Sequence, residues 1–241
     1  MSQSGCPALE DVYAVDTERV QVVTGKESHG LAAVSIVDYR GEPVFFSYVR
    51  PTKQIVDYRT KFSGIRRDDL VDAPSINAVR RDVRKILGRP DVVIVGHSLQ
   101  HDLAALFLRV SARRLRDTAL YPPLMRVDAN RCVHSRKLRH LAADRLGWSI
   151  QDGEHDPTED ARAAMKLYMK YRGSWEDSKR RGALRDGSFV AALCRWHPRS
   201  RMSSRWTRSI GRLVMGAEGC SRRSASSTIE ATFVWRFRRP R

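Results

Sequence analysis

Apolar residues in the first part of the chain follow the spacing of strands. Residues 12–16, 31–38 and 43–49 are rich in β-branched and aromatic side chains, and Gly41 suits a hairpin turn between the last two. Residues 92–95 are wholly apolar and β-branched, which is typical of a central strand buried on both faces. The pattern therefore predicts a sheet with at least one such central strand.

Helical spacing dominates the later part of the chain. Apolar residues three or four apart predict helices, and a short edge strand is expected at residues 116–118. The predicted helices cover residues 75–87, 99–110, 135–146 with Ser135 as the cap, and a segment that begins near Pro157. Strands first, followed by alternating strands and helices, predict an α/β fold with a mixed sheet flanked by helices.

Charge divides the chain into two parts. The net charge is +17 over 241 residues, yet residues 178–241 hold 16 Lys and Arg against 3 Asp and Glu, while residues 1–177 hold 28 against 24. A basic segment favours polyanions such as nucleic acid, but a solubilising tail has the same composition. We therefore expect one folded domain over residues 11–177 and a basic, poorly structured extension over residues 178–241.

Cysteine spacing and hydropathy exclude several classes of protein. The four cysteines are far apart and form no Cys-x-x-Cys pair, which argues against a zinc ribbon or a disulfide framework. The first residues lack the pattern of a signal peptide, and no segment approaches the roughly 18 apolar residues of a membrane span. A soluble, intracellular protein without a membrane partner is expected.

Two acids two residues apart form the first candidate site. Asp16 and Glu18 follow a predicted strand, whose period of two places both side chains on one face. Two neighbouring carboxylates repel each other unless a cation lies between them, so the pair suits Mg²⁺ or Mn²⁺. A strand edge that faces solvent would carry the same pattern.

Asp102 is the second candidate, in the segment GHSLQHDL that follows the buried strand. Ligand sites of open α/β sheets lie at the carboxyl ends of strands, where this residue is expected. An acid near a helix N-terminus that interacts with the helix dipole is the alternative. His97 and His101 are four apart and could form a zinc pair, but no third ligand or HExxH pattern accompanies them.

The segment HDPTED supplies the third candidate. Asp156 suits an N-cap, Pro157 the first helical position and Glu159 the acid of a capping box. These structural roles leave His155 and Asp160 unexplained. Asp160 lies one turn into the helix and His155 just before it, where a neutral imidazole can accept a proton from water at physiological pH.

Together, these acids and the histidine resemble a known family. Their order, with the segments DYRTKFSGI and HDPTEDARAAMKLY, resembles the DEDDh 3′→5′ exonucleases of the RNase-T/DnaQ-like superfamily. The similarity is greatest to the branch of RNA exonuclease 4 and the interferon-stimulated 20 kDa exonuclease, and it covers about residues 11–177. The resemblance implies a ribonuclease-H-like sheet and a DEDDh exonuclease domain.

The resemblance also implies roles for individual residues. Asp16, Glu18, Asp102 and Asp160 would bind two divalent cations, Mg²⁺ or Mn²⁺, and His155 would be the general base. The implied reaction is hydrolysis of the terminal phosphodiester at single-stranded RNA 3′ ends, which releases nucleoside 5′-monophosphates. The resemblance further implies ribosomal RNA processing in the nucleus or nucleolus.

Two arginines are candidate substrate contacts. Arg59 lies in the DYRT string, with a salt bridge to Asp57 or Asp69 as the alternative. Arg19 stands where the family has a methionine near the terminal nucleotide, which leaves the substrate preference open. Two other functions therefore compete with RNA hydrolysis: an RNA-binding module with impaired catalysis, and a DNA 3′→5′ exonuclease.

Overall fold

A computed structural model describes residues 6–23, 28–129 and 132–182 of the chain. Its centre is a six-stranded sheet in which five strands follow the order β3-β2-β1-β5-β6 and β4 pairs with the end of β1. These strands are β1 Val12–Val22, β2 Ser28–Val37, β3 Pro43–Tyr48, β4 Ile55–Asp57, β5 Val93–Gly96 and β6 Leu115–Asp117. A separate two-stranded sheet pairs β7 Arg126–Val127 with β8 Val133–His134.

Helices flank this sheet, which is mixed. The helices are α1 Thr60–Ser63, α2 Ile76–Leu87, α3 Gln100–Leu106, α4 Leu138–Leu146 and α5 Pro157–Arg180. Strand β1 is antiparallel to β2 and β4 but parallel to β5, and β5 is parallel to β6. The predicted α/β class with a mixed sheet is therefore confirmed. Across the described ranges, no helix is both long and apolar enough to span a membrane.

Strand β1 separates two apolar layers. Val12 and Ala14 pack into the layer formed with α4 and α5, whereas Val15 packs into the layer formed with α2 and α3. Because side chains alternate along a strand, Asp16 and Glu18 continue the row that faces α5. Both acids are thus placed where the apolar row of the strand ends.

The C-terminal ends of β1 and α3 differ from the predictions. Strand β1 was expected to end at Asp16, but it continues to Val22 because it pairs with β2 along almost its whole length. Helix α3 was expected to continue to residue 110, but it ends at Leu106, where Phe107 adopts a left-handed backbone conformation (φ 50°). The helical hydrogen bonds cannot continue through a left-handed residue.

Helices α4 and α5 also differ from the predictions at one end each. Lys137, rather than Ser135, is the N-cap residue of α4, and its side chain makes no capping hydrogen bond. Helix α5 begins at Pro157 as predicted and continues to Arg180, past the expected boundary at residues 177 and 178. Most of the predicted basic extension, residues 183–241, lies outside the described residues.

Candidate active site

The centre of the site is the middle of β1. Asp16 pairs with Ser35 of β2 and Glu18 with Ala33, after which a bulge between Glu18 and Arg19 shifts the register. Glu18 is only 9% exposed. A bulge increases the local twist and redirects the side chains that follow it, so the charge of Arg19 is not held in the regular alternation of the strand.

The turn between β5 and α3 is held in place by a glycine and an acid. A Cβ atom at Gly96 would lie 2.4 Å from Leu99 Cδ2 and 3.0 Å from the carbonyl oxygen of Val15, so only glycine fits between them. The buried carboxylate of Asp117 accepts hydrogen bonds from the backbone N–H groups of Ser98 at 2.8 Å and Leu99 at 2.9 Å. These contacts fix the start of α3 against β1.

Asp102 reaches the site from α3. Its side chain is 5% exposed, and its Oδ1 accepts a hydrogen bond of 2.6 Å from the Thr17 hydroxyl. Thr17 lies between Asp16 and Glu18 in β1, so the hydroxyl ties the third acid to the strand that carries the first two. The structure therefore brings Asp102 beside the pair that lies 84 and more residues earlier in the chain.

The start of α5 brings in the fourth acid. Asp156 caps the helix by accepting a 2.8 Å hydrogen bond from the backbone N–H of Thr158, as predicted. The hydroxyls of Thr158 and Ser35 are 2.9 Å apart, which anchors this end of the helix to β2. Glu159 accepts from the backbone N–H of Gln151 at 3.4 Å, a bond to the preceding loop rather than the predicted capping-box bond. Asp160, 4% exposed, lies one turn further on.

His155 is held by the DYRTKFSGI segment. Its backbone N–H donates to the Phe62 carbonyl at 3.0 Å, and a Cβ at Gly64 (φ 67°) would lie 2.9 Å from the His155 carbonyl. Next to it, Arg66 donates two hydrogen bonds to the Glu154 carboxylate, at 2.8 and 2.9 Å. The role of this segment visible in the structure is thus to position the loop that carries the histidine.

The distances around His155 suit a bound cation. Its Nδ1 lies 3.9 Å from Glu18 Oε1 and 3.7 Å from Asp160 Oδ2, too far for direct hydrogen bonds. Ligand atoms of these three residues all lie within 4.8 Å of one another. Gln151 donates to Asp160 Oδ2 at 2.6 Å, but the buried Asp160 Oδ1 has no hydrogen-bond partner among the described residues. A cation would satisfy that oxygen, since an unpaired buried carboxylate oxygen is costly.

Burial and mutual repulsion shift the titration of the acids. Burial, together with the nearby charges of Asp160 and Asp102, raises the pKa of Glu18 to about 8. Burial raises the pKa values of Asp102 and Asp160 to about 7 each, and the pKa of Asp16 well above its usual value. Hard oxygen ligands in such a cluster match the preference of Mg²⁺ and Mn²⁺. The residues therefore fit a divalent metal site.

The pKa of His155 shifts in the opposite direction to those of the acids. Burial lowers the pKa of His155, and the positive charges of Arg139 and Arg59 lower it further. The imidazole is therefore neutral at physiological pH and can accept a proton. A neutral base beside acids that would hold divalent cations is the arrangement needed to activate a water molecule.

Both candidate arginines have their charges near the acids. The charge of Arg19 lowers the pKa values of Asp16, Glu18 and Asp102, which opposes the effect of burial. The charge of Arg59 likewise lowers the pKa of Glu18. Both arginines are thus placed to interact with an anionic group that enters the site.

Arg59 does not form the salt bridge considered as its alternative role. Its backbone N–H donates to Asp57 Oδ1 at 2.7 Å, and its guanidinium lies 5.8 Å from the ring centre of Phe62. Asp69 accepts from the backbone N–H of Arg66. Within the described ranges, no salt bridge joins the Arg59 side chain to Asp57 or Asp69, so its charge remains available near the site.

The zinc alternative for His97 and His101 is not formed. His97 Nδ1 lies 2.9 Å from the Thr118 hydroxyl, and burial lowers the pKa of His97 to about 4. The part of the chain that the structure describes holds one group of His, Cys, Asp and Glu close enough to bind an ion, and neither histidine belongs to it. His97 instead stabilises the turn before α3.

Three supporting residues were missed by sequence reasoning. Thr17 orients Asp102, Gln151 orients Asp160, and Asp117 holds the turn before α3. Thr17 was visible between two acids, but nothing in its spacing indicated a partner 85 residues away. Gln151 has a left-handed backbone (φ 59°) in an ordinary polar loop, and no sequence pattern marks it.

Comparison with known proteins defines the class of this protein. The family described as exonuclease, that of RNase T, matches residues 14–168, which contain all five candidate residues. The chain belongs to this family. Its relatives include RNA exonuclease 4 of Aspergillus fumigatus, 41% identical over 165 residues, which are 68% of this chain and 51% of that protein. Human RNA exonuclease 4 is 38% identical over 174 residues, 71% of this chain and 40% of that protein.

Solved structures agree with this assignment. The Pan2 catalytic unit of Neurospora crassa has a TM-score of 0.59 and 26% identity over 82% of this chain and 31% of that one. The Pan2 module of Saccharomyces cerevisiae in complex with A7 RNA has a TM-score of 0.60 and 29% identity over 78% of this chain and 33% of that one. The predicted fold and the resemblance to the RNA exonuclease 4 branch are confirmed. The chain spans about half or less of the length of these relatives.

Proposed function

We propose that this protein is a metal-dependent 3′→5′ exonuclease that hydrolyses the terminal phosphodiester of RNA and releases nucleoside 5′-monophosphates. The observation that carries the proposal is the group of Glu18, His155 and Asp160, whose ligand atoms lie within 4.8 Å of one another, while the buried Asp160 Oδ1 has no hydrogen-bond partner among the described residues. Asp16 completes the acid set from β1. Membership of an exonuclease family supports the reaction.

Each residue has a defined part in this reaction. Asp16, Glu18, Asp102 and Asp160 would hold the divalent cations, which when bound stabilise the charge of the attacking and leaving oxygens. His155 accepts the proton of the attacking water, because its lowered pKa keeps the imidazole neutral. In addition, the guanidinium groups of the two candidate arginines attract the phosphate of the terminal nucleotide.

The activity test uses the full chain and a 5′-labelled single-stranded RNA. We expect a ladder of shortened products with Mg²⁺ or Mn²⁺, none with EDTA, and none when the RNA carries a 3′-phosphate. Asp102→Asn should abolish shortening, whereas Asp82→Asn, at an acid of α2 paired with Lys85, should not. Shortening in EDTA, or an active Asp102→Asn variant, would contradict the proposed chemistry.

RNA is the proposed substrate because the relatives are named RNA exonucleases and a Pan2 structure contains RNA. Among the described residues, none is assigned to a 2′-hydroxyl, so a DNA oligonucleotide of the same sequence belongs in every assay. A kcat/KM that is higher for DNA than for RNA would show that DNA is the preferred substrate, while the proposed hydrolysis reaction would stand.

A second function is favoured by Arg19. Its charge lowers the pKa values of three acids, so it competes with divalent cations for the same carboxylates. If this competition prevails, the protein binds RNA without cutting it. Arg19→Met separates the two functions, since it should turn a binding protein into a nuclease, but should only alter the substrate preference of an active enzyme.

For the cellular role, we propose ribosomal RNA processing in the nucleus, with the nucleolus as the candidate compartment. The support is the sequence resemblance and the basic cluster Lys179-Arg180-Arg181 at the end of α5. In this cluster, Lys179 donates to the Ala112 carbonyl and Arg180 pairs with Asp177. A tagged full chain confined to the cytoplasm, or unchanged ribosomal RNA ends after its depletion, would refute the proposal.

A further inference from the structure

A groove of about 400 Å³ lies next to the candidate active site, between α2, α3 and the end of β1. We call it the α2–α3 groove. None of its lining residues is acidic, although it lies beside the acid cluster. Its basic and titratable lining side chains are Arg19, His29, Lys53, Arg80 and His101. A groove with this lining attracts anions, and its charge is opposite to that of the neighbouring acids.

The groove borders the acid cluster, because Arg19, one of its lining residues, directly follows Glu18 in β1. Arg19 lines it and also lowers the pKa values of three of the acids, so the charge of this one residue acts on both regions. His101, which lines the groove as well, directly precedes Asp102 in α3. A chain that leaves the site past Arg19 therefore enters the groove.

An exposed aromatic ring, that of Phe107, lines the groove. Phe107 is 66% exposed and adopts the left-handed conformation that ends α3. The Arg80 guanidinium lies 3.8 Å from the centre of its ring and donates to the Ala105 carbonyl at 2.8 Å. Arg84 donates to the Phe107 carbonyl at 3.3 Å. The ring is thus fixed, with one face covered by a cation and much of its surface open.

Basic side chains continue beyond the ring. A shallow cavity of about 630 Å³ is lined by Arg84, Gly88, Phe107, Leu108 and Arg109. Phe107 therefore separates two basic depressions, one of which leads back to the acids. Basic groups on both sides of an exposed aromatic ring are typical of surfaces that bind single-stranded nucleic acid, through phosphate contacts and base stacking.

We propose that the α2–α3 groove binds the RNA strand upstream of the 3′-terminal nucleotide, with its phosphates at Arg19 and Lys53 and one base stacked on Phe107. This inference rests on the proposed function, which places the 3′ end at the acid cluster. Asp102 and Phe107 are five residues apart, or about 7.5 Å along the axis of α3. That separation is of the order of one nucleotide of extended strand.

Binding to RNAs of two lengths tests the stacking contact. The probes are a 5′-fluorescein RNA decamer and a 5′-fluorescein mononucleotide, which lacks any upstream base, titrated with the full chain in EDTA and followed by anisotropy. Phe107→Ala should weaken decamer binding about tenfold, within the range of a stacked base, and leave mononucleotide binding unchanged. Phe107→Trp should retain the affinity. Phe46→Ala, at an aromatic residue of β3 that is 46% exposed, is the matched control.

Salt dependence tests the phosphate contacts. The slope of log K against log salt for a single strand falls by about 0.7 for each phosphate contact removed. Lys53→Ala should reduce the decamer slope by about that amount. Lys85→Ala, on the exposed part of α2 and paired with Asp82, should leave the slope unchanged. An unchanged slope for Lys53→Ala would remove that residue from the strand path.

These experiments can refute the groove and the proposed nuclease function independently of each other. A wild-type protein that needs Phe107 for the decamer but cuts no RNA would retain the groove and refute the nuclease. Conversely, the groove is refuted if Phe107→Ala binds the decamer like the wild type, or loses both probes equally. A decamer that binds no more tightly than the mononucleotide would also overturn the inference.

Discussion

The two regions next to the middle of β1 differ in charge, burial and energetic cost. On the α5 side, Glu18 and Asp160 are 9% and 4% exposed and burial raises their pKa values. On the α2–α3 side, Lys53 and His101 are exposed and Phe107 is 66% exposed. Buried acids of like charge destabilise the metal-free fold, whereas exposed cations cost little.

Because of this difference, we expect the two regions to have different functions. A buried cluster gives strong, short-range electrostatics, which chemistry at one phosphodiester requires. An exposed basic groove gives weaker attraction that is screened by salt and spread over several phosphates. We therefore expect changes on the acid side to affect kcat and metal binding, and changes on the groove side to affect KM for long substrates.

The largest effect is expected from the histidine on the acid side. His155→Gln removes the proton acceptor but keeps the backbone bond to Phe62, so the loop should retain its position. A positioned general base contributes about 10²- to 10⁴-fold, and kcat should fall by about that factor with KM nearly unchanged. Single-turnover cleavage of a labelled RNA measures it. Activity within a fewfold of the wild type would show that another group accepts the proton.

The next effect is expected at Thr17, which sequence reasoning missed. Thr17→Val keeps the shape of the side chain but deletes the hydroxyl that donates to Asp102 Oδ1 at 2.6 Å. Residues that orient metal ligands typically contribute about 10- to 100-fold to metal affinity or activity, and we expect a loss in that range. Titration of activity with Mn²⁺ measures it. Thr17→Ser should recover most of the loss, and equal defects in both variants would argue for a packing effect instead.

These two predictions show what could be inferred from the sequence. The acids and His155 stood out because strand period, helix start and motif order are local signals. Thr17 did not, because its function depends on a partner 85 residues away. The early end of α3 was missed for a local reason, since Phe107 is neither glycine nor asparagine, the usual residues at left-handed positions.

The α2–α3 groove was equally invisible in the sequence. Its basic and titratable side chains come from five separated segments, near residues 19, 29, 53, 80 and 101, and no spacing rule relates them. Only the pairing of β1 with β2 and the packing of α2 beside α3 bring them together. The strand-binding role of the groove is accordingly a proposal from the structure, whereas the acid site was already a prediction from the sequence.

The acid side should also respond to pH in the absence of metal. Burial raises the pKa of Glu18 to about 8 and that of Asp160 to about 7, above their values in the unfolded chain. Between the lower pKa values of the unfolded chain and the raised pKa values of the folded protein, the folded state therefore holds more protons than the unfolded state. The free energy of unfolding falls as pH rises through this range. In EDTA, Tm should decrease from about pH 5 to about pH 8 and then level off.

Two comparisons sharpen this pH prediction. Glu18→Gln removes one of the buried charges, so its Tm in EDTA should exceed that of the wild type at about pH 8 and change less with pH. Saturating Mn²⁺ should stabilise the wild type most at high pH, because binding requires deprotonated ligands. A Tm in EDTA that increases between the same pH values would show that the acids are paired in the metal-free fold.

The smallest effect is expected from an exposed ion pair on the acid side. Its removal tests whether an exposed charge near the site matters as much as the buried acids do. Arg66 donates two hydrogen bonds to Glu154, next to His155, but the two side chains are 59% and 42% exposed. Exposed pairs contribute little, so Arg66→Ala should shift Tm by less than about 3 °C, as should Arg67→Ala at the next exposed position.

The loop keeps its bond from His155 to the Phe62 carbonyl, so we expect kcat to change less than about tenfold. Single-turnover cleavage and thermal melts measure both quantities. A larger loss in kcat without a change in Tm would mean that the exposed pair, and not only the buried contacts, positions the histidine.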